Sequence, residues 1–163
     1  MSELPGFDAE VAELGAALRK RGWMLAAAES CTGGLIAAAC TALAGSSDWF
    51  ERGFVTYSDA AKCELLGVPA ALIAAHGAVS AEVACAMASG ALAHSRAQLA
   101  VAVTGIAGPT GATPGKPVGT VWLALARHAE PARAELLQLQ GDRAAVRTQT
   151  VQQALARLRE WAA

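Results

Sequence analysis

Apolar residues recur at helical spacing in some parts of the chain and form short continuous runs in others. The first helical pattern covers Asp8–Arg21, with Asp8 predicted as its N-cap and Gly22 as its end. The same patterns predict further helices at 35–44, 59–66, 69–75, 80–96 and 142–161, and strands at 23–28, 52–57, 99–103, 118–126 and 135–140. This alternation predicts an α/β fold, a three-layer α/β/α sandwich with a mixed, mostly parallel sheet whose last two strands form an antiparallel hairpin.

The pattern continues without a repeat, a low-complexity tract or a linker, so residues 1–163 are predicted to form a single domain. Hydrophobic residues make up 54% of the chain, and 41 of the 163 residues are alanine. Small side chains let helices approach one another closely, within one subunit or between two. We therefore also expect a homo-oligomer.

Charge and composition exclude several classes of protein. The net charge is -1, without the basic stripe that binding to nucleic acid requires. The longest apolar runs are far shorter than the roughly 20 residues needed to span a bilayer, and the acidic N-terminus does not resemble a signal peptide, so we expect a cytoplasmic protein. The four cysteines contain no CxxC pair and the three histidines do not cluster, so a disulfide framework and a structural zinc are both disfavoured.

Three polar clusters, at 30–34, 57–62 and 104–108, follow three of the predicted strands. The carboxyl ends of parallel strands meet at one edge of a sheet, and open α/β sheets bind ligands there. If the three strands are parallel neighbours, their clusters form one cleft for a small molecule.

The first cluster places Ser30 immediately before a predicted helix start. There the unpaired amides of Thr32, Gly33 and Gly34 can bind an anion or a developing oxyanion, which suits a nucleophile. The alternative is that Ser30 or Thr32 only caps the helix. Cys31 is a rival nucleophile beside the same amides, and the residues alone do not decide between it and Ser30.

The second cluster contains Lys62 in an otherwise apolar stretch, where desolvation would lower its pKa and allow it to act as a base. A solvated position on a helix face is the alternative. Tyr57, the only tyrosine in the chain, is a candidate hydroxyl donor for the same site or, alternatively, a packing residue.

The third cluster opens a loop rich in glycine and proline that matches neither the Walker pattern nor GxGxxG. It can hold a phosphate or ribose through its backbone, or it is an ordinary connection. Its candidate binding residues are Thr104, Gly105, Ala107 and Gly108. Arg143 and Arg147 lie four residues apart at the start of the last helix, where they would clamp a phosphate or form a solvated face.

Six segments in this order resemble the C-terminal domain of the competence/damage-inducible CinA proteins, the family of nicotinamide-nucleotide amidohydrolases. They are AESCTGGLIA (28–37), YSDAAKCELLGV (57–68), HGAVS (76–80), TGIAGPTG (104–111), KPVGTV (116–121) and GDRAAVRTQTVQQAL (141–155). The resemblance covers nearly the whole chain.

The resemblance implies hydrolysis of the carboxamide of nicotinamide mononucleotide (NMN) to nicotinate mononucleotide and ammonia, without a cofactor. It places Ser30 at the nucleophile position and Lys62 at the position of the general base. The GG after Ser30 and the TGIAG loop resemble the family's binding elements for the transition state and the nucleotide, with the backbone amides of Cys31, Thr32, Gly33 and Gly34 around the oxyanion. Two positions depart from the family pattern, Asp59 where Asn is expected and Ala112 where Gly is expected. The negative charge of Asp59 would raise the pKa of Lys62, and this motivates an alternative function, a pyridine-nucleotide sensor or interaction module without catalysis.

Overall fold

The computed structural model describes residues 6–163, in which strands and helices alternate as the sequence predicts. The prediction of a cytoplasmic protein rests partly on the acidic N-terminal segment, of which residues 1–5 lie outside the described residues. The helices are α1 (Asp8–Arg21), α2 (Leu35–Cys40), α3 (Asp59–Leu66), α4 (Ala70–His76), α5 (Ala81–Ala93) and α6 (Arg143–Ala162), with a short 3-10 helix at Ser46–Asp48. The strands are β1 (Leu25–Glu29), β2 (Phe50–Val55), β3 (Leu99–Gly105), β4 (Thr120–Arg127) and β5 (Arg133–Gln138).

The five strands form one sheet in the order β2-β1-β3-β4-β5. Strand β1 pairs in parallel with both β2 and β3, whereas β4 is antiparallel to β3 and to β5. Four of the five strands therefore point the same way. The predicted α/β class, with a mixed and mostly parallel sheet and a final hairpin, is confirmed.

The two faces of the sheet carry side chains of different size. Leu25, Leu99 and Val101 face the layer of α1, α2 and α6, while alternate residues such as Ala26 and Ala100 face the layer of α3, α4 and α5. Helix α5, itself rich in alanine, lies against this alanine face, because only small side chains permit so close an approach. Part of the alanine content thus lies at the contact between the sheet and α5.

Two local predictions are wrong. Asp8 is the first helical residue of α1, and the N-cap position is occupied by Phe7, which makes no side-chain cap. The Asp8 carboxylate still lies where it favours the helix dipole. Helix α2 ends at Cys40 rather than residue 44, because the bonding pattern changes after Thr41: the Ala42 N–H donates to Ala39, three residues back, and Gly45 turns the chain with a φ of 85°.

Within residues 6–163, no helix is long and apolar enough to cross a membrane. The carboxyl ends of β1, β2 and β3 lie side by side, since Glu29 pairs with both Val55 and Val103. The three polar clusters that follow these strands therefore meet at one edge of the sheet.

Candidate active site

A lysine and a serine from two of these clusters are in direct contact. Ser30 follows the last residue of β1, and Lys62 lies one turn into α3, whose N-cap is the Ser58 side chain. The Lys62 Nζ atom lies 3.1 Å from the Ser30 Oγ atom. Both residues are buried: Lys62 is 1% exposed and Ser30 is 8% exposed. The pair is isolated from bulk water but accessible to a small molecule through a cavity.

The surroundings of Lys62 favour its neutral amine. Burial lowers the pKa of the Lys62 ammonium below its usual value, and the nearby charge of Asp59 opposes this shift without cancelling it. In addition to its contact with Ser30, Nζ lies within hydrogen-bonding distance of two backbone carbonyls, to which it donates: Thr56 at 3.0 Å and Tyr57 at 3.3 Å. A neutral amine has two N–H groups, which match these two carbonyls and leave its lone pair for the Ser30 hydroxyl.

Cys31 adjoins the same cavity, but its thiol is buried. Burial raises the pKa of Cys31 to about 12, so almost none of it is thiolate near neutral pH. The chemistry of a thiol nucleophile is therefore suppressed at this position, whereas Ser30 has an amine in contact.

The turn after Ser30 is held from the strand side by Glu29, a completely buried residue at the end of β1. Its Oε1 atom accepts hydrogen bonds from the Thr32 hydroxyl at 2.6 Å and the Ile36 N–H at 2.8 Å, and its Oε2 atom accepts from the Ala37 N–H at 3.0 Å. Our sequence analysis missed this role. A glutamate at the end of the apolar run LAAAE is the signal that would have revealed it, since a buried carboxyl group requires partners.

We expect Glu29→Gln to lower the free energy of unfolding by about 2 kcal/mol, because an amide nitrogen would face an N–H donor of α2 in place of an acceptor. In a chain of this size this corresponds to a loss of roughly 4–8 °C in Tm. Thermal unfolding followed by circular dichroism measures the change. The exposed Glu64→Gln is the matched control, and an equal Tm for the two variants would contradict the capping role.

The turn is held from the helix side by Arg147 of α6. The Arg147 Nε atom donates to the Cys31 carbonyl at 3.1 Å, and an Nη atom donates to the Thr32 carbonyl at 3.2 Å. Gly33 and Gly34 both adopt positive φ, of 57° and 107°, which the turn requires and other residues adopt only with strain.

Arg143 and Tyr57 form a bridge over the entrance to the site. One Nη atom of Arg143 donates to the Gly108 carbonyl at 2.8 Å and the other to the Tyr57 hydroxyl oxygen at 3.2 Å. The tyrosine ring is 63% exposed. The hydroxyl hydrogen of Tyr57 therefore remains free to donate.

The wall opposite Lys62 comes from the end of β3 and the loop after it. The buried Thr104 hydroxyl donates to the Ala78 carbonyl at 2.9 Å and ties this wall to the segment before α5. A side chain at Gly105 would lie within 3.0 Å of the Thr120 backbone, so glycine permits the close approach of β4.

Two adjoining cavities share Ala107 and Arg143. The first, of about 200 Å³, is lined by the catalytic candidates and by half of the predicted binding residues. Its walls include Ser30, Cys31, Tyr57, Asp59, Lys62, Thr104, Gly105, Ala107 and Arg143. The second, of about 690 Å³, lies between the loop after β3 and the start of α6 and includes Arg147. Together they offer the volume of a nucleotide-sized site.

Four of the predicted binding residues line neither cavity: Thr32, Gly33, Gly34 and Gly108. The carbonyls of Thr32 and Gly108 accept from Arg147 and Arg143, and Gly33 and Gly34 form the turn after Ser30. Among residues 6–163, no group of three or more His, Cys, Asp or Glu side chains is placed to hold a metal ion.

The fold is an α/β domain with a serine and a lysine in contact at the carboxyl ends of its strands. Comparison with known proteins identifies the class to which such a domain belongs. A model of the CinA C-terminal domain matches residues 8–162. The chain belongs to the CinA C-terminal domain family, and the resemblance drawn from the six sequence segments is confirmed.

Among its relatives are two named nicotinamide-nucleotide amidohydrolase PncC. The protein of Enterobacter agglomerans is 55% identical over 137 residues, 84% of each chain, and that of Escherichia coli K12 is 50% identical over 143 residues, 88% of this chain and 87% of the relative. A crystal structure from Klebsiella pneumoniae, described as competence damage-inducible protein A, has a TM-score of 0.90 at 43% identity and covers 93% of this chain and 94% of its own. A CinA-like protein of Citrifermentans bemidjiense is 58% identical over 144 residues, 88% of this chain but only 34% of that longer protein.

Proposed function

We propose that the protein hydrolyses the carboxamide of NMN to nicotinate mononucleotide and ammonia, with Ser30 as nucleophile and Lys62 as general base. The observation that carries the proposal is the 3.1 Å contact between Lys62 Nζ and Ser30 Oγ at the floor of a cavity. The names of the relatives in Enterobacter agglomerans and Escherichia coli support the substrate.

In the first half of the reaction, the Lys62 amine takes the proton of the Ser30 hydroxyl. The oxygen attacks the carboxamide carbon, a tetrahedral intermediate forms, and the carbon–nitrogen bond breaks. The leaving nitrogen takes a proton from the Lys62 ammonium and departs as ammonia. The Tyr57 hydroxyl, with its hydrogen free, is the second candidate donor.

The negative oxygen of the intermediate needs donors already in place. Within residues 6–163, the N–H groups of Cys31 and Thr32 donate to no backbone carbonyl. They lie in the turn that directly follows the nucleophile and are our candidates for the oxyanion site.

In the second half, water attacks the ester on Ser30 and Lys62 takes its proton. The carbon–oxygen bond to Ser30 then breaks, nicotinate mononucleotide leaves, and the proton returns to the serine oxygen. The same base serves both halves because its two backbone carbonyl partners keep Nζ beside Ser30.

The ribose and phosphate would occupy the larger cavity beyond Arg143. Arg143 borders both cavities and lies at the start of α6, where its positive charge suits a phosphate. The segment at Thr104, Gly105, Ala107 and Gly108 runs between the two cavities. Thr104 and Gly105 line the first cavity, Ala107 lines both, and Gly108 is the next residue along the loop.

We expect Asp59→Asn to shift the rise of activity with pH to lower values. Removing the negative charge takes away an interaction that favours the Lys62 ammonium, so the pKa of Lys62 falls and the neutral base is present at lower pH. The pH profile of kcat/KM for ammonia release measures the shift. Glu64→Gln, on the exposed face of α3, is the control, and an Asp59→Asn profile that superimposes on the wild-type profile would contradict this electrostatic coupling.

The alternative is a pyridine-nucleotide sensor that binds NMN without turning it over. Calorimetry and an ammonia assay on the same sample separate the two functions. Binding without ammonia release over hours would favour the sensor and overturn the enzyme. We further expect the enzyme to act in the cytoplasm as a homo-oligomer.

A further inference from the structure

The Arg147 side chain borders the larger cavity, but two of its nitrogens are committed to the backbone of the protein. Two of its three nitrogens donate to consecutive backbone carbonyls, those of Cys31 and Thr32, in the turn after Ser30. An arginine is a rigid fork of donors, so two bonds fix the direction of both carbonyls at once.

All three carbonyls of residues 30–32 have donors. The Ser30 carbonyl accepts from the Gly33 N–H at 3.1 Å, and the Thr32 carbonyl accepts from the Leu35 N–H at 3.1 Å in addition to Arg147. A trans peptide is planar, with its N–H pointing opposite to its C=O. Arg147 therefore orients the Thr32 N–H directly, through the Cys31 carbonyl. It acts on the Cys31 N–H through Gly33, because the Thr32 carbonyl that it fixes belongs to the same peptide as the Gly33 N–H, and that N–H holds the Ser30 carbonyl.

Gly33 lies against the same guanidinium. It has a φ of 57°, and a side chain there would come to 3.5 Å from an Arg147 Nη atom. The turn is thus held between Glu29 on one side and Arg147 on the other, with glycine at the point of closest approach.

We infer that Arg147 is a positioning residue that holds the oxyanion-binding amides of Cys31 and Thr32 in place, rather than a phosphate ligand. The inference rests on the proposed function. It predicts that loss of the guanidinium lowers the rate of the chemical step and leaves nucleotide binding nearly unchanged.

The test compares Arg147→Met with Arg159→Met, a control about 18 Å further along α6 that pairs instead with Glu13. We expect Arg147→Met to lower kcat for NMN about 100-fold, the loss typical of a misplaced oxyanion donor. The Kd for nicotinate mononucleotide, measured by calorimetry, should stay within about three-fold of wild type. A Kd weakened ten-fold or more with kcat near the wild-type value would overturn the inference in favour of a phosphate ligand.

A second variant separates positioning from a general loss of structure. Arg147→Ala leaves room for guanidinium ion, and we expect added guanidinium at millimolar concentration to restore kcat at least about ten-fold, which it cannot do for an unfolded protein. No restoration in a variant with wild-type circular dichroism would contradict the positioning role.

A final readout distinguishes failure of this inference from failure of the proposed function. If the wild type releases no ammonia from NMN, the proposed function is wrong, and the rate of Ser30 labelling by a fluorophosphonate then tests the turn by itself, since that reaction also places negative charge on an oxygen beside the turn. Labelling at least about ten-fold slower in Arg147→Met supports the positioning role. Equal labelling rates overturn it whether or not NMN is the substrate.

Discussion

Ser30→Ala is expected to lower ammonia release from NMN by at least about 10⁴-fold while leaving the fold intact. The substitution removes the attacking oxygen, and Lys62 keeps its two carbonyl partners, so the rest of the site retains its arrangement. Ammonia release and circular dichroism on the same preparation measure the two effects.

Cys31→Ala is the matched control, one residue along the same turn. Because burial raises the pKa of Cys31 to about 12, removing this thiol takes away no functional nucleophile, and we expect most of the activity to remain. Loss of activity in Cys31→Ala with retention in Ser30→Ala would transfer the nucleophile role to the cysteine.

Lys62→Met is expected to lower kcat/KM about 10³-fold, within the range for loss of a general base. Methionine keeps the length and volume of the side chain but cannot accept the serine proton. Lys20→Met, at an exposed position of α1, should have wild-type activity. A Lys62→Met variant as active as this control would contradict the role of Lys62 as base.

The same variant should alter the dependence of stability on pH. Since burial lowers the pKa of Lys62 in the folded state, the unfolded state binds more protons between that lowered pKa and the usual value of 10.5. The contribution of Lys62 to stability therefore rises with pH across this interval and levels off above it, while the buried Cys31 and Cys40 thiols, whose pKa is raised, act in the opposite direction above pH 9. Urea unfolding at a series of pH values isolates the Lys62 contribution as the difference in stability between the wild type and Lys62→Met, and this difference should grow as the pH rises towards 10.5.

The alternation of strands and helices could be predicted because hydrophobic periodicity and the turn residues agreed along most of the chain. The convergence of Ser30 and Lys62 followed from one further premise, that the first three strands are parallel neighbours. The ends of elements were less predictable: α2 stops early, where the Ala42 N–H donates three residues back instead of four, a local change that periodicity does not report.

The supporting contacts of the site were not predictable from spacing. Arg147 lies 115 and 116 residues from the carbonyls to which it donates, and no pattern within α6 reveals a partner in the turn after β1. Its spacing from Arg143 suggested a shared role, yet Arg143 bridges Gly108 and Tyr57 whereas Arg147 holds the turn. Arg143 and Arg147 lie on one face of α6 but contact different partners, because a different loop lies next to each of them.

Release of ammonia from NMN by the wild-type protein, measured between about pH 6 and pH 10, tests the central claim most directly. Ser30 activated by Lys62 predicts that ammonia and nicotinate mononucleotide form in equal amounts, with a rate that rises with pH as Lys62 loses its proton. No ammonia from the folded wild-type protein at any pH in this range would contradict the claim.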